Sequence, residues 1–585
     1  MSFEADHLRN QRLAGILVPV FSLRGRQDLG IGDVAALREF IDFCADAGFS
    51  FVQLLPINET GPDNSPYNAI SSVALEPTTL DCTPQGLVDL TEEDFAEVLS
   101  EFDIDALRAG AVDYASVRRL KEDLLSRAYA RFFDEHFEKG SSRDREFQQF
   151  CEDESGWLND YCLFRMAMKE HAGNPNWQEW GESLQTLEGA TAHVTERYRQ
   201  APEETDRAIT FFAYVQWIAF RQWRSVANYG QSKRVWLMGD IPFGISASSA
   251  DVFADREIFD VDWYGGAPPE KLFKDDEFVQ KWGQNWGIPL YRWDVMDDRG
   301  YRWWRQRVQK CVEVCRLFRV DHALGFYRIY SFPWNPVRNE EFLPLTEDEA
   351  AERCGGRRPG FRPRADDSPE NEQANRADGE RYLRVIQEAA GTAEVIAEDL
   401  GVVPDYVRPS LAELGIAGTK VPQWEFSEGH VTPGVHYPAL SFATYATHDH
   451  APMKAQWEAA RQAFAEAEPE SHEWWENRNF LHVLCAFAGI PVHEDAFPVY
   501  DDAVHEALLR QLCLSNSRRV GIMVSDLLGF EERINVPGIM DGSNWSYRLP
   551  MSSGDLATSP EWEKIRNLSR RILEDSGRTP VQASS

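Results

Sequence analysis

Leu317-Phe318-Arg319-Val320-Asp321-His322-Ala323-Leu324-Gly325-Phe326 is the stretch on which the reading of this chain turns. A short apolar strand runs into a charged cluster, and Gly325 lets the chain turn away. Upstream, from Tyr301, the residues Trp304, Val308, Cys311 and Cys315 recur at spacings of three and four, which predicts a helix with one buried face. Arg319 stands two residues before Asp321, so both side chains leave the same face of the strand. A guanidinium there keeps the carboxylate ionised, as a nucleophile requires. Helix, strand, then a carboxylate at the strand's C-terminal end is how a βα-barrel builds a catalytic site. Taken alone, the stretch is equally an ion-paired aspartate at a sheet edge.

Outward from it, the same alternation recurs. Ala14 to Phe21 reads as a buried strand. Asp33 is a candidate N-cap for a helix with Leu37, Phe40, Ile41 and Cys44 at helical spacing, and Phe51 to Leu55 is a second strand. Residues 91–230 are mostly helical in pattern, and Phe211 to Trp223 is apolar nearly all round, which predicts deep burial. Further strands are expected at Val235 to Met238, at the opening stretch, at Glu394 to Ala397, Gly418 to Val421, Ser441 to Thr447 and Val520 to Val524. Eight strands, several ending on acidic residues, predict an α/β fold. It is a (β/α)8 TIM barrel with helical insertions between barrel strands and no separate C-terminal β domain. The expected divisions are 1–83 as the start of the barrel, 84–205 as an inserted helical subdomain, 206–560 as the rest of the barrel, and 561–585 as a C-terminal helix and tail. A long loop or flap is expected at about 340–385, centred on the polar Arg353 to Gly379, and fraying from Gly577.

Composition narrows the function classes. The chain has 585 residues, 43% of them hydrophobic and 12% aromatic, enough for a large packed core. The formal net charge of −35 repels phosphate backbones and argues against a nucleic-acid partner. A salty habitat and a base-composition bias are both consistent with that acidity. The nine cysteines include no CxxC pair, and Cys311 and Cys315, on one helical face, read as buried thiols. With Glu4 and Asp6 in place of a signal-peptide core, and no run of ~18 apolar residues, the expectation is a cytoplasmic protein with no membrane association, a monomer or small homo-oligomer.

Three carboxylates, Asp321, Glu398 and Asp449, end different strands. Converging on a barrel mouth, they are what glycosidic chemistry asks for: one attacks, one protonates the leaving oxygen, and one holds sugar hydroxyls as an oxocarbenium-like centre forms. Each singly is also readable as an N-cap or a structural ion pair. His448-Asp449-His450 has the look of a metal-ligand run, but neighbouring side chains on a strand point to opposite faces, and no metal is expected. Tyr67, in an early loop at Asn64-Ser65-Pro66-Tyr67, and Trp286, in the loop Gly283-Gln284-Asn285-Trp286-Gly287, are candidate flat platforms for pyranose rings. Trp217 and Trp223 are core by default.

These residues carry a resemblance. From about Gly15 to Pro550 the chain resembles the amylomaltases, the 4-α-glucanotransferases (disproportionating enzymes) related to the α-amylase clan. The matching motifs are GILVPVFSL (15–23), QLLPINETG (53–61), SPYNAISS (65–72), GDIPFGISASSADVF (239–253), GQNWGIPLY (283–291), RVDHALGF (319–326), AEDLG (397–401), THD (447–449) and DLLGFEERINVPG (526–538). The resemblance implies a retaining double displacement with Asp321 as nucleophile, Glu398 as acid/base and Asp449 as transition-state stabiliser. Arg319 and His448 are then the supporting residues. Tyr67, Trp286, Asp240, Gln284 and Asn285 are the candidate glucan contacts. It implies no metal or organic cofactor, and malto-oligosaccharides or α-glucans as donor and acceptor. The chain departs from the pattern at His450, at Ala323-Leu324, in the Arg-rich segment before the fifth strand, and at Lys271 to Lys281. These departures bear on acceptor and chain-length preference rather than reaction class. The rival readings are a hydrolase of the same clan and a non-catalytic glucan-binding barrel.

Overall fold

The computed structural model describes residues 10–270, 276–427, 429–538 and 542–579. Glu4 and Asp6, residues 271–275 of the Lys271 to Lys281 stretch, and the last six residues of the tail lie outside these. Eight parallel strands close a barrel: β1 (Leu13–Leu17), β2 (Phe51–Gln53), β3 (Trp236–Ile241), β4 (Leu317–Val320), β5 (Glu394–Ala397), β6 (Ala417–Lys420), β7 (Ser441–Ala443) and β8 (Arg519–Met523). Each pairs with its neighbours in chain order, and β8 closes on β1 with Leu13 opposite Arg519. This is the (β/α)8 barrel expected from the strand count. The described residues contain no separate C-terminal sheet.

Two long connections depart from the simple alternation. Between β2 and β3 run several helices, ending in the 31-residue helix Pro202–Ser232. Proline at its first turn suits the start of a helix. Phe212, Tyr214, Trp217, Phe220 and Trp223 are buried along it, as its all-round apolarity predicts. This helix runs unbroken across the boundary expected at 205. The connections around β4 build a four-stranded antiparallel side sheet, in the order Gln284–Tyr291, Phe259–Ala267, Ile329–Phe332, Gly360–Arg362. Trp286 therefore sits on a strand, not in the loop expected for it.

Two expectations are corrected. The segment Arg353 to Gly379 is not a long loop or flap. Gly360–Arg362 is the edge of the side sheet, and the helix Pro369–Ala390 starts within the segment, capped by the Ser368 side chain on Asn371 N. Its first half buries Asn375 and Gly379, not large apolar residues, and its buried apolar positions begin at Tyr382. Polar composition therefore hid a capped helix. The chain after the helix Glu563–Asp575 is also not frayed at its start. The Arg578 side chain is fully buried and donates to the carbonyls of Cys513, Leu13, Ser515 and Ser517 at 2.6, 3.2, 2.8 and 2.8 Å. It ties the chain's end to the N-terminal rim of the barrel.

Candidate active site

The C-terminal ends of β3, β4 and β5 meet at one guanidinium. Arg319, on β4, donates from Nη1 to both Asp240 oxygens at 2.9 Å, and Asp240 lies on the neighbouring β3. Its Nη2 stands 2.7 Å from Asp321 Oδ1 and 4.0 Å from Glu398 Oε2. The shared face of Arg319 and Asp321 follows from the two-residue spacing. Just beyond, His322 takes a left-handed backbone with φ 44°, uncommon for a residue with a Cβ. The turn aims the His322 N–H at Glu398 Oε2, 2.9 Å away, while Leu400 N donates to Glu398 Oε1 at 3.0 Å.

Each oxygen of Glu398 is thus held by one backbone donor. Burial pushes its carboxyl up to about 7, against the opposing pull of Arg319, with the charge of Asp321 adding to the rise. The adjacent Asp399 turns away, accepting from Thr419 N at 2.6 Å and Arg408 Nε at 3.2 Å. Of the acidic pair that ends β5, only Glu398 faces the cleft cluster. Burial also raises the Asp240 carboxyl, with Arg319 opposing.

From Asp240 a chain of contacts crosses the mouth. The Tyr67 hydroxyl donates to Asp240 Oδ2 at 2.6 Å and lies 3.2 Å from His448 Nδ1. The Tyr67 ring stacks on the His448 ring with centroids 4.6 Å apart and planes at 17°. His448 Nε2 is 3.3 Å from Asp449 Oδ2, and Asn535 Nδ2 donates to Asp449 Oδ1 at 2.6 Å. Burial would raise the Asp449 carboxyl, but His448, Asn535 and Arg319 together outweigh it and hold it well below the usual range. The strand expected to run to Thr447 stops at Ala443, so the opposite-face rule does not apply at His448 and Asp449, and both reach one site. His450 instead contacts Thr447, with Nδ1 2.9 Å from Thr447 Oγ1.

The aromatics divide. Trp286 is 39% exposed, with its ring edge-on to His322 at 4.8 Å and its Nε1 donating to Gln284 Oε1 at 3.1 Å. Asn285 is turned into the side sheet, its Nδ2 donating to Trp334 O at 2.9 Å. Tyr67 is half-buried, one face against His448, and is as much a link in the polar chain as a platform. Trp424 and Phe426, beyond β6, are each 52% exposed, and Trp424 lies 5.3 Å from the His450 ring.

Asn535 escaped the sequence reading. It lies inside the stretch 526–538, but an uncharged side chain in a loop carries no mark of its partner. Arg533 beside it donates to the Asp449 carbonyl at 2.6 Å. Among the described residues no group of three or more His, Cys, Asp or Glu side chains is arranged to hold a metal ion, and no helix is long and apolar enough to cross a membrane.

One protonatable carboxyl, one ion-paired carboxylate beside it, and a third carboxylate held low across the mouth form a set suited to acid/base and nucleophilic work at a single centre. The chain is 30% identical to a 4-alpha-glucanotransferase of Chlamydia pneumoniae, over 93% of this chain and 92% of that one. It is 30% identical to a 4-alpha-glucanotransferase of Thermus thermophilus, over 92% and 95%. Among solved structures, the fold matches the amylomaltase of Streptococcus agalactiae in complex with acarbose, with a TM-score of 0.72 at 24% identity, covering 97% of this chain and 100% of that one. It matches the amylomaltase of Corynebacterium glutamicum with a TM-score of 0.74 at 20% identity, covering 97% and 76%. The sequence profile of the 4-alpha-glucanotransferases matches residues 18–553, and the chain belongs to that family.

Proposed function

We propose that this protein cleaves an α-1,4-glucan, holds the glycosyl group on Asp321, and passes it to the 4-hydroxyl of another glucan or of glucose. Asp321 attacks the anomeric carbon. Glu398, protonated near neutrality because it is buried, gives its proton to the leaving oxygen and then takes one from the acceptor hydroxyl. Asp449 binds hydroxyls of the sugar undergoing cleavage, as charge develops at its anomeric carbon.

The observation that carries this reading is the position of Arg319 Nη2, 2.7 Å from Asp321 and 4.0 Å from Glu398. Two carboxylates flanking one nitrogen match a retaining pair, whose carboxyls stand about 5–5.5 Å apart, better than the wider spacing that leaves room for a water in inverting enzymes. Tyr67 and His448 fix the geometry of Asp240 and Asp449, and Trp286 offers an open ring face to bound glucan. A transferase must admit a sugar while keeping water from the intermediate. We assign that task to the Tyr67 loop and the side-sheet strand bearing Trp286. Nine free cysteines favour a cytoplasmic setting.

Incubation of the purified protein with maltotriose tests the proposal. A ladder of longer oligosaccharides together with glucose is the expected product pattern. Shorter sugars alone, with reducing ends rising, would replace transfer by hydrolysis. No change at all would leave a binding protein.

A further inference from the structure

The glucan chemistry uses none of the nine thiols, yet two of them are placed together directly behind the site. Cys311 is near the end of the helix Arg302–Val312, and Cys315 is in the turn that leads into β4. Both sulfurs pack on the same backbone position of β3: a Cβ added to Gly239 would stand 2.9 Å from Cys311 Sγ and 3.0 Å from Cys315 Sγ. Glycine at 239 is what makes room for them. Cys315 N donates to Cys311 O at 2.9 Å, the one-turn relation of a helix. That relation puts the two Cα atoms roughly 6 Å apart, inside the ~4.4–6.8 Å that a disulfide spans. The helix ends at Val312, and Val314 N and Cys315 N close its last turn on Cys311 O at 3.1 and 2.9 Å.

A small cavity opens on the pair. Cys311, Cys315, Gly239, Asp240, Arg307 and Lys310 are among its lining residues, and it offers ≈ 30 Å³. One water needs about 10–15 Å³ measured this way, so two bonded oxygens fit. Arg307 is 4% exposed. Its Nη2 donates to Gly244 O at 3.3 Å, while its buried Nη1 has no hydrogen-bond partner among the described residues. Lys310 adds no free charge, because Glu154 and Glu313 hold it at 2.7 and 2.5 Å. Arg307, which lines the cavity with the two sulfurs, is the cation placed to face a negative sulfur there.

We propose that Cys311 and Cys315 form a peroxide-reactive dithiol, with Cys311 the attacking sulfur and Cys315 the resolving one. Cys311 is the part-exposed member and Cys315 the buried one. The Cys315 thiol is pushed well up by its hydrogen bond with Cys311 and then by burial, so it keeps its proton until the second step. The Cys311 thiolate attacks one oxygen of hydrogen peroxide. The O–O bond breaks, Cys311 becomes a sulfenic acid, and hydroxide leaves and takes up a proton. The Cys315 sulfur then attacks the Cys311 sulfur, the S–O bond breaks, and water leaves as the disulfide forms. Two electrons pass from the two sulfurs to the peroxide, which ends as two waters.

The sequence makes the test direct. Trypsin cuts after Lys310 and Arg316, so both thiols fall in the single peptide Cys-Val-Glu-Val-Cys-Arg. The folded protein is treated with hydrogen peroxide, unfolded with an alkylating agent, digested and weighed. The expected result is that this peptide has lost two hydrogens and escaped alkylation, while the peptides carrying Cys44, Cys162 and Cys513 remain alkylated. In the near-isosteric Cys315→Ser variant, Cys311 should be trapped by dimedone as the sulfenic acid. It should react at least roughly tenfold faster than Cys151, the other part-exposed thiol. Cys311 found as a sulfinic or sulfonic acid with Cys315 still alkylatable would overturn the proposal. So would a Cys311 no more reactive than Cys151.

Discussion

Replacing Glu398 by Gln should separate stability from activity, and the separation should depend on pH. In the folded protein burial moves this carboxyl from 4.5 to about 7. At about 1.4 kcal/mol per pKa unit, that is a bias of about 3 kcal/mol against the charged form. The sign follows from linkage. Between pH ~4.5 and ~7 the folded state holds a proton that the unfolded state has released, so stability falls as pH rises, and the full penalty stands above about 7. Below ~4.5 both states are protonated and no penalty exists. A Gln side chain carries no charge at any pH and is exempt.

The variant has its own cost. Both Glu398 oxygens accept a backbone N–H, from His322 and Leu400. An amide has one oxygen, so one donor loses its acceptor at about 1–3 kcal/mol. That cost does not vary with pH, so the informative quantity is the change in the stability difference. Urea unfolding of both proteins, followed by tryptophan fluorescence at pH 5 and pH 8, measures it. The variant should gain about 2 kcal/mol relative to the parent on going from pH 5 to pH 8, while losing transfer activity by several orders of magnitude. A difference that stays constant, or that moves the other way, would mean that Glu398 is charged in the folded protein at neutral pH. The assignment of Glu398 as proton donor would then fall.

Asn535→Ala removes the amide that holds Asp449 Oδ1. A hydrogen bond to a charged group is worth about 1.5–3 kcal/mol, so kcat with maltotriose should fall roughly 10- to 150-fold with KM changed less than about threefold. A KM effect alone would make Asn535 a binding residue. Arg578→Ala should leave kcat unchanged at 25 °C and lower unfolding stability by about 3 kcal/mol, because the carbonyls of Leu13 and Ser517 lose this donor while those of Cys513 and Ser515 keep only Arg12. An unshifted unfolding midpoint would show that the chain's end is dispensable.

The barrel was legible because buried parallel strands are short apolar runs between helical patterns, and eight such runs could be counted. Their ends were less legible. Thr444 to Thr447 continues the composition of β7, but after a last cross-strand bond from Thr444 N to Lys420 O at 3.0 Å the chain turns on itself, with Thr444 Oγ1 donating to Ala446 O at 2.8 Å. That early exit is what lets His448 and Asp449 face one site. The pairing of Arg319 with Asp321 was readable because it is local, two residues along one strand. The bond from Asn535 to Asp449 spans 86 residues and left no local trace. Tyr67 read as a platform from its loop, whereas its hydroxyl between Asp240 and His448 depends on three separate segments meeting. Ser368 and Pro369 did announce a helix, but the polar turn that follows masked it.

The central claim is a covalent glycosyl group on Asp321. In the Glu398→Gln variant the first step can still proceed with a donor whose leaving group needs no proton, such as maltosyl fluoride, while the second step stalls for want of a base. Peptide mass spectrometry of the quenched reaction should find a maltosyl adduct on the tryptic peptide that runs from Val320 to Arg328, localised to Asp321. An adduct on any other residue, or release of β-maltose with no adduct at all, would contradict the account.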